Sequence, residues 1–342
     1  MRRLLSPLRL LTAGVILLVA IGAYMVTQKS DKLLEVPDKA HPLAGLIKVP
    51  GGTARQPDKG GIYYVDVLLQ KASLLQSSFK LFRPEGSDLI PQGDFVPTGL
   101  TYAQQLKVDQ ATMKVSQQKA AVVALRALGL KFPAREGGVR VAAINSDSKA
   151  KGLLRPDDIV VAADGHKVAT ALDLYNALSR HRPGDVVRLG VLRAGKRLDF
   201  RVKTIADSLN PKRPLIGFAP LEVVDARLPV PVHFNLERDV GGPSAGLAFA
   251  LEIMEQRGRD IDRGLRLAAT GEIQLDGSVT SIGGVKQKTI GARRAGVDAF
   301  LVPVDGDNAK VAQRYAHGLR IIPVKNFQQA LRALATLHRK VS

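Results

Sequence analysis

An uncharged apolar run near the start of the chain constrains its fold more than any other feature. Residues 10–27, LLTAGVILLVAIGAYMVT, contain no charged side chain, and this length is near the lower limit for a helix that crosses a bilayer. Three arginines precede the run, whereas the charges between positions 29 and 39 sum to zero. Because basic residues are retained on the cytoplasmic side, we predict a single-pass anchor in the cell membrane over residues 1–28, with a cytoplasmic N-terminus and the remaining chain extracytoplasmic.

A cleaved signal peptide is the alternative interpretation of this segment. Ala20-Ile21-Gly22 has the small-x-small pattern of a cleavage site. The apolar run is longer than the usual core of a signal peptide, which favours the retained anchor. Both interpretations place the rest of the chain outside the cytoplasm.

The composition excludes several classes of function. The 342 residues contain no cysteine, so disulfides, thiolate nucleophiles and cysteine-ligated metals are excluded. The six histidines are scattered singly, and we predict no metal site and no cofactor. Lys and Arg exceed Asp and Glu by 19. Tryptophan is absent and no nucleic-acid-binding motif accompanies the charge, so we predict no nucleic-acid partner.

The region between the anchor and position 129 gives coarse signals. Residues 30–60 are rich in Pro, Gly, Lys and Asp and are predicted to be a linker. Residues 61–69 are rich in β-formers and predict a strand, whereas residues 99–128 predict a helix that ends at Gly129. We therefore interpret residues 29–129 as a linker followed by an extracytoplasmic region with strands and a helix. The strands around 61–85 could instead belong to the C-terminal core.

From Gly137 onward, short strands alternate with tight turns. The predicted order is a strand, a turn, a strand, a short helix with Thr170 as N-cap, and a hairpin folded at Ala194-Gly195, over residues 138–144, 148–153, 156–163, 170–179 and 185–203. This order resembles a bacterial PDZ domain over residues 130–205, which implies a partly open β-barrel. Residues 190–197 of the hairpin, GVLRAGKR, miss the last position of a phosphate-binding loop, and no helix follows them.

The PDZ resemblance implies a peptide-binding role. Domains of this family hold the C-terminus of a polypeptide, which adds to the sheet as a strand. By the resemblance, Leu128, Gly129 and Leu130 are the candidate hydrophobic-Gly-hydrophobic loop for the terminal carboxylate. The alternative is that Gly129 only ends the preceding helix.

A serine lies at the predicted start of an apolar helix in GGPSAGLAFALEIMEQ, which begins at Gly241. Ser244 would lie near free backbone N–H groups and the positive end of the helix dipole. Such groups stabilise an oxyanion, and Gly242 would allow a substrate backbone to approach closely. The alternative is that Ser244 is only an N-cap.

Further motifs follow in residues 265–304: Thr270-Gly271-Glu272, then IGGVKQK, then a strand that ends in VPV. GPSAG followed by these motifs strongly resembles the proteolytic domain of Lon-type proteases. We expect an α+β domain over residues 206–342, ending in a strand at 319–324 and a helix capped by Asn326. The resemblance implies that Ser244 is the nucleophile and Lys288 the general base, supported by Thr270 and Gly242.

A lysine can act as a base only when it is neutral. The pKa of Lys288 must therefore fall from near 10.4 to about 7–8, which burial can achieve. Lys286 lies about 200° away on a helix and is predicted to be solvated. Thr270 is expected to orient Lys288 or, alternatively, to bond to backbone. His233 is predicted to be a strand residue and not a member of a triad.

The overall layout resembles the small membrane-anchored, PDZ-containing Lon-like proteases of bacteria. The resemblance implies an ATP-independent serine endopeptidase that cleaves unfolded or flexible exported polypeptides and, by family analogy, forms a hexameric ring. One departure is Gly241, because many Lon proteases have Asp at this position and Asp239 is displaced by two residues. The alternative function is a non-catalytic PDZ-containing scaffold in which the Lon-like fold is a docking surface.

Overall fold

The computed structural model describes residues 7–52, 60–236 and 241–338. Its helices are α1 (Pro7–Thr27), α2 (Leu74–Ser78), α3 (Gln92–Phe95), α4 (Tyr102–Ala127), α5 (Ala171–Leu178), α6 (Gly246–Gln256), α7 (Val285–Arg294), α8 (Asn308–Tyr315) and α9 (Phe327–Ala335), with a 3-10 helix at Lys80–Phe82. The first ten strands are β1 (Lys29–Pro37), β2 (His41–Pro42), β3 (Ile47–Lys48), β4 (Gly61–Tyr64), β5 (Val67–Ser73), β6 (Asp88–Pro91), β7 (Ala134–Ile144), β8 (Ile159–Ala163), β9 (His166–Lys167) and β10 (Val186–Arg193). The other ten are β11 (Lys196–Lys203), β12 (Ile205–Ala206), β13 (Pro214–Leu215), β14 (Phe218–Ala226), β15 (His233–Phe234), β16 (Arg266–Ala269), β17 (Glu272–Ile273), β18 (Val279–Thr280), β19 (Ala299–Pro303) and β20 (Arg320–Val324).

A five-stranded sheet of order β2-β4-β16-β19-β20 forms the centre of the C-terminal core. Strands β4, β16, β19 and β20 are parallel to one another, and β2 is antiparallel to β4. Side chains of β4 alternate between the faces: Ile62 and Tyr64 pack with α4, α6 and α9, whereas Tyr63 packs with α7 and α8. The sheet is therefore buried on both faces, as parallel sheets usually are.

The second large sheet has the order β11-β10-β8-β7-β14, with β9 paired to β8, and it does not close into a barrel. Its helix α5 begins with the predicted N-cap Thr170, whose side chain accepts a hydrogen bond from the N–H of Asp173. The predicted hairpin turn at Ala194-Gly195 is confirmed between β10 and β11. Strand β14 pairs with β7, so this sheet extends to Ala226, beyond the predicted end of the PDZ region at 205.

The prediction of a linker over residues 30–60 is wrong for the residues in this range that the structure describes. Strand β1 lies between β5 and β6 in a three-stranded sheet, and its Leu33 and Leu34 are fully buried. This buried apolar pair stabilises a strand among residues whose composition favours a loop. The single strand predicted over 61–69 is divided at Val65-Asp66 into β4 and β5, which belong to different sheets.

The chain enters the central sheet before the second sheet and returns to it afterwards. Strand β4 precedes the whole of the second sheet in sequence, and its parallel neighbour β16 follows it. Strand β4 thus belongs to the C-terminal core, as the alternative interpretation proposed, whereas β5 pairs with β1. The predicted terminal elements are confirmed, because β20 leads to α9 and the Asn326 side chain accepts the N–H of Gln329.

A buried lysine of α4 joins β14 of the second sheet to the segment around β17. Lys119 is 2% exposed. Its Nζ lies 2.5 Å from Glu222 Oε2 on β14 and 2.5 Å from Gln274 Oε1, which follows β17. Glu222 Oε1 also accepts the N–H of Ala171, the first residue of α5. Polar side chains therefore link α4 to the second sheet and to the C-terminal core.

Helix α1 is the apolar N-terminal element. Its segment Leu10–Thr27 has a mean hydropathy of 2.3 and is long and apolar enough to cross a membrane. A signal sequence near the N-terminus can pass the same test of length and hydropathy.

Candidate active site

Ser244 lies in a turn two residues before α6, and not in the helix itself. Ala245 occupies the N-cap position of α6, which has no side-chain cap. The alternative that Ser244 is only an N-cap is therefore wrong. The Ser244 carbonyl accepts the N–H of Gly271 at 2.7 Å and the Thr270 hydroxyl at 3.0 Å. These bonds fix the serine backbone through its carbonyl and do not involve its hydroxyl.

Helix α4 holds the loop that leads to this serine. The N–H of Gly242 donates to the Asp109 carbonyl at 2.9 Å, and Ser116 Oγ donates to the Pro243 carbonyl at 3.0 Å. A Cβ at Gly241 would lie 2.9 Å from the Asp109 Cβ, so the two backbones are in close contact. Asp239 lies outside the described residues.

Lys288 is buried on α7, with 4% of its surface exposed. Burial lowers its pKa to about 8, and the charges of Glu35 and Asp66 oppose that shift. This is the direction that a lysine general base requires. Among the described residues, no hydrogen bond joins Lys288 Nζ to Ser244 Oγ. Such bonds often form only once substrate is bound.

Two glycines allow β1 to approach the face of α7 that carries Lys288. Gly284, Lys288 and Gly291 are spaced by four and three residues, which places them on one helical face. A Cβ at Gly284 would lie 2.8 Å from Glu35 Oε1, and a Cβ at Gly291 would overlap the Asp38 carbonyl oxygen. The end of β1 therefore packs directly against the face from which Lys288 projects.

Acidic groups that the sequence did not identify surround this lysine. Burial raises the pKa of Glu35, and it raises the pKa of Asp66 to about 6. His41 Nε2 lies 3.0 Å from Asp38 Oδ2 and 3.7 Å from Asp66 Oδ1, and its ring stacks on Tyr64. These contacts account for the close spacing of Asp38, His41 and Asp66 without a metal ion.

A second acidic cluster of the described residues, formed by Glu255, Asp260 and Asp262, lies at the C-terminal end of α6 and in the segment that follows it. Glu255 Oε2 accepts the N–H groups of Ile261 and Asp262, and Asp262 Oδ1 accepts that of Gly264. The carboxylates of Glu255 and Asp262 therefore stabilise the turn before β16. We assign no metal to either cluster.

The supporting residues differ in their agreement with expectation. The Thr270 hydroxyl bonds to backbone, as the alternative proposed, and the backbone group is the carbonyl of Ser244. Lys286 is not solvated as predicted: its Nζ lies 2.6 Å from Asp88 Oδ1 and 5.6 Å from the Tyr315 ring centre. That prediction is wrong because β6, which carries Asp88, packs near α7. His233 is an exposed residue of β15, as predicted.

The candidate carboxylate loop has no available N–H groups. The N–H groups of Leu128, Gly129 and Leu130 donate to the carbonyls of Ala124, Arg126 and Leu125, respectively. The last two bonds form a Schellman motif, with Gly129 in the left-handed region at φ +87°. Leu128 and Leu130 pack against the C-terminal core. The structure therefore favours the helix-capping alternative for these three residues.

Comparisons with known proteins agree with both parts of this architecture. The family model of the PDZ domain matches residues 126–204, and that of the Lon protease C-terminal proteolytic domain matches residues 234–336. The chain therefore contains a PDZ domain and a Lon-type proteolytic domain. Ser244, Thr270 and Lys288 lie inside the second match, whereas Glu35 and Asp66 lie outside it.

Similar full-length proteins are much longer than the matching segment. The Lon protease of Clostridium beijerinckii is 36% identical over 126 residues, which cover 33% of this chain and 16% of that protein. The Lon protease of Buchnera aphidicola is 37% identical over 93 residues, which cover 27% of this chain and 12% of that protein. Among solved structures, the PDZ domain of an SdrC-like protein from Listeria monocytogenes is 23% identical, with 24% of this chain and 86% of that chain covered and a TM-score of 0.23.

Proposed function

We propose that this protein is an ATP-independent serine endopeptidase in which Ser244 is the nucleophile and Lys288 is the general base. The observation that carries the proposal is the buried amine of Lys288, whose pKa of about 8 leaves part of it neutral near neutral pH. A Lon-type proteolytic domain supports serine protease activity, and the two residues lie within its match.

The reaction follows from these groups. Lys288 Nζ takes the proton of Ser244 Oγ as the oxygen attacks the carbonyl carbon of a peptide bond. Among the described residues, the backbone N–H groups of Ser244 and Ala245 have no acceptor, so they are available to the resulting oxyanion. Lys288 then donates its proton to the leaving amine. The Lys288 amine, which is neutral again after this transfer, then activates the water that hydrolyses the acyl-enzyme ester.

The cellular setting is part of the proposal. We infer that α1 anchors the chain in the cell membrane with the catalytic domain extracytoplasmic, and that the PDZ domain assists recognition of unfolded or flexible exported polypeptides. A hexameric ring is proposed by family analogy alone. The segment that resembles a phosphate-binding loop is the β10–β11 hairpin, which supports activity without ATP.

Cleavage of casein by the purified full chain in detergent tests the enzymatic proposal. We expect Ser244→Ala and Lys288→Met to abolish cleavage. The matched control variants Ser179→Ala and Lys286→Gln should retain it, and added MgATP should leave the rate unchanged. If the unmodified chain leaves casein intact from pH 6 to pH 10, the alternative of a non-catalytic PDZ scaffold is supported instead. Cleavage that survives Lys288→Met would contradict the role of the lysine.

A further inference from the structure

Three large apolar side chains project from one short segment between β5 and β6. Phe79 and Phe82 are each 52% exposed, and Leu81 is 88% exposed. Lys80 lies between them and is also exposed. Single exposed apolar side chains are ordinary on a protein surface, whereas a group of three within four residues indicates contact with another surface.

Hydrogen bonds on both sides of this segment hold the three apolar side chains in their exposed positions. Helix α2 begins with a capping box between Ser73 and Gln76. Arg83 then closes the segment, because its Nε donates to the Gln76 carbonyl at 2.7 Å and its Nη2 to the Ser77 carbonyl at 3.1 Å. These bonds fix the position of residues 79–82, which include the 3-10 helix and project from the surface.

The projection lies beside the end of α1. The N–H of Leu74 donates to the carbonyl of Gln28 at 2.9 Å, and Lys29 pairs with Ser73. Helix α2 also contacts α1 itself. Because the apolar run of α1 continues to Thr27, α2 and the 3-10 helix lie at the level where α1 would leave the apolar layer of a bilayer.

We propose that residues 79–82 insert into the surface of the phospholipid bilayer that α1 enters. Phe79, Leu81 and Phe82 would occupy the boundary between headgroups and acyl chains, as the apolar side chains of interfacial segments do. Lys80, together with the exposed Lys29, would contact anionic headgroups. This contact rests on the proposed retention of α1 as an anchor and is independent of proteolysis.

The absence of cysteine from the chain makes a site-specific test direct. Leu81→Cys and the control Leu209→Cys, which alters an exposed leucine of the β12–β13 connection, would each be labelled with the polarity-sensitive fluorophore NBD. The full chain would be reconstituted in vesicles of phosphatidylcholine and phosphatidylglycerol in equal amounts. We expect the label at 81 to show blue-shifted emission and quenching by lipids with a nitroxide on the acyl chain. The label at 209 should remain in an aqueous environment.

Two results would overturn this proposal. The first is a label at 81 that behaves like the label at 209 while a label at Val15→Cys, within α1, is quenched. The second is a label at 15 that stays in water, because the anchor on which the contact depends would then be missing. Replacing Lys80 with Glu in the labelled Leu81→Cys chain should reduce quenching by about twofold in the anionic vesicles. Casein cleavage measured on the same samples separates failure of the membrane contact from failure of the proposed enzyme.

Discussion

Replacement of Asp66 with Asn should shift the pH dependence of catalysis towards acid. With a pKa of about 8, about a tenth of Lys288 is neutral at pH 7. A solvated lysine with a pKa of 10.5 would be neutral in only about three molecules in ten thousand, so burial supplies roughly a 300-fold gain of free base. The negative charge of Asp66 opposes this gain, because it stabilises the ammonium form.

The direction and size of the expected change in rate follow from the effect of the Asp66 charge on the pKa of Lys288. Removing a nearby anion disfavours the ammonium, so the pKa of Lys288 should fall by roughly one unit. The neutral fraction at pH 7 would then rise from about a tenth to about a half, and kcat/KM should rise about fivefold. Above pH 9 the lysine is already neutral and no gain is expected. Below pH 6 the gain should disappear, because Asp66, with its own pKa of about 6, loses its charge.

The assay is kcat/KM for a fluorogenic peptide from pH 5 to pH 10, with melting temperatures measured on the same samples. Asp31→Asn, which removes an exposed carboxylate from the same strand as Glu35, is the matched control and should leave the profile unchanged. An acidic limb that stays in place or moves to higher pH in a folded Asp66→Asn variant would refute the electrostatic argument.

Two further predictions concern the packing around the site. Gly291→Ala should lower the free energy of unfolding by about 3 kcal/mol, because its Cβ would overlap the Asp38 carbonyl, whereas Gly283→Ala, with open space around its Cβ, should have little effect in the same denaturant titration. Lys119→Met should cost about 3 kcal/mol by leaving Glu222 without its cation. The double variant Lys119→Met with Glu222→Gln should regain stability relative to the single one, and its failure to do so would contradict the pairing.

The sequence correctly predicted the elements that are determined by interactions between neighbouring residues. The caps Thr170 and Asn326 and the turn at Ala194-Gly195 were predictable because each depends on side-chain or backbone preferences within a few residues. The motifs around Ser244 and Lys288 placed the candidate site on two separate elements, although the helix starts after Ser244 and not at it.

Long-range packing explains what the sequence could not predict. Strand β1 is stabilised by the burial of Leu33 and Leu34 against distant segments, so its composition alone favours a linker. Lys286 pairs with Asp88, which lies 198 positions earlier in the chain. The effect of Glu35 and Asp66 on Lys288 could not be predicted for the same reason, because no local pattern connects residues so far apart in sequence.

The short connection between α1 and β1 limits how far the candidate active site can lie from the end of α1. Glu35, which lies against the α7 face that carries Lys288, is eight positions after Thr27, where the helix ends. A fully extended chain covers at most about 3.5 Å per residue, so the two points lie within about 28 Å of each other. With α1 as the proposed membrane anchor, the catalytic centre is held near the bilayer and would reach the first residues of a polypeptide that emerges from it.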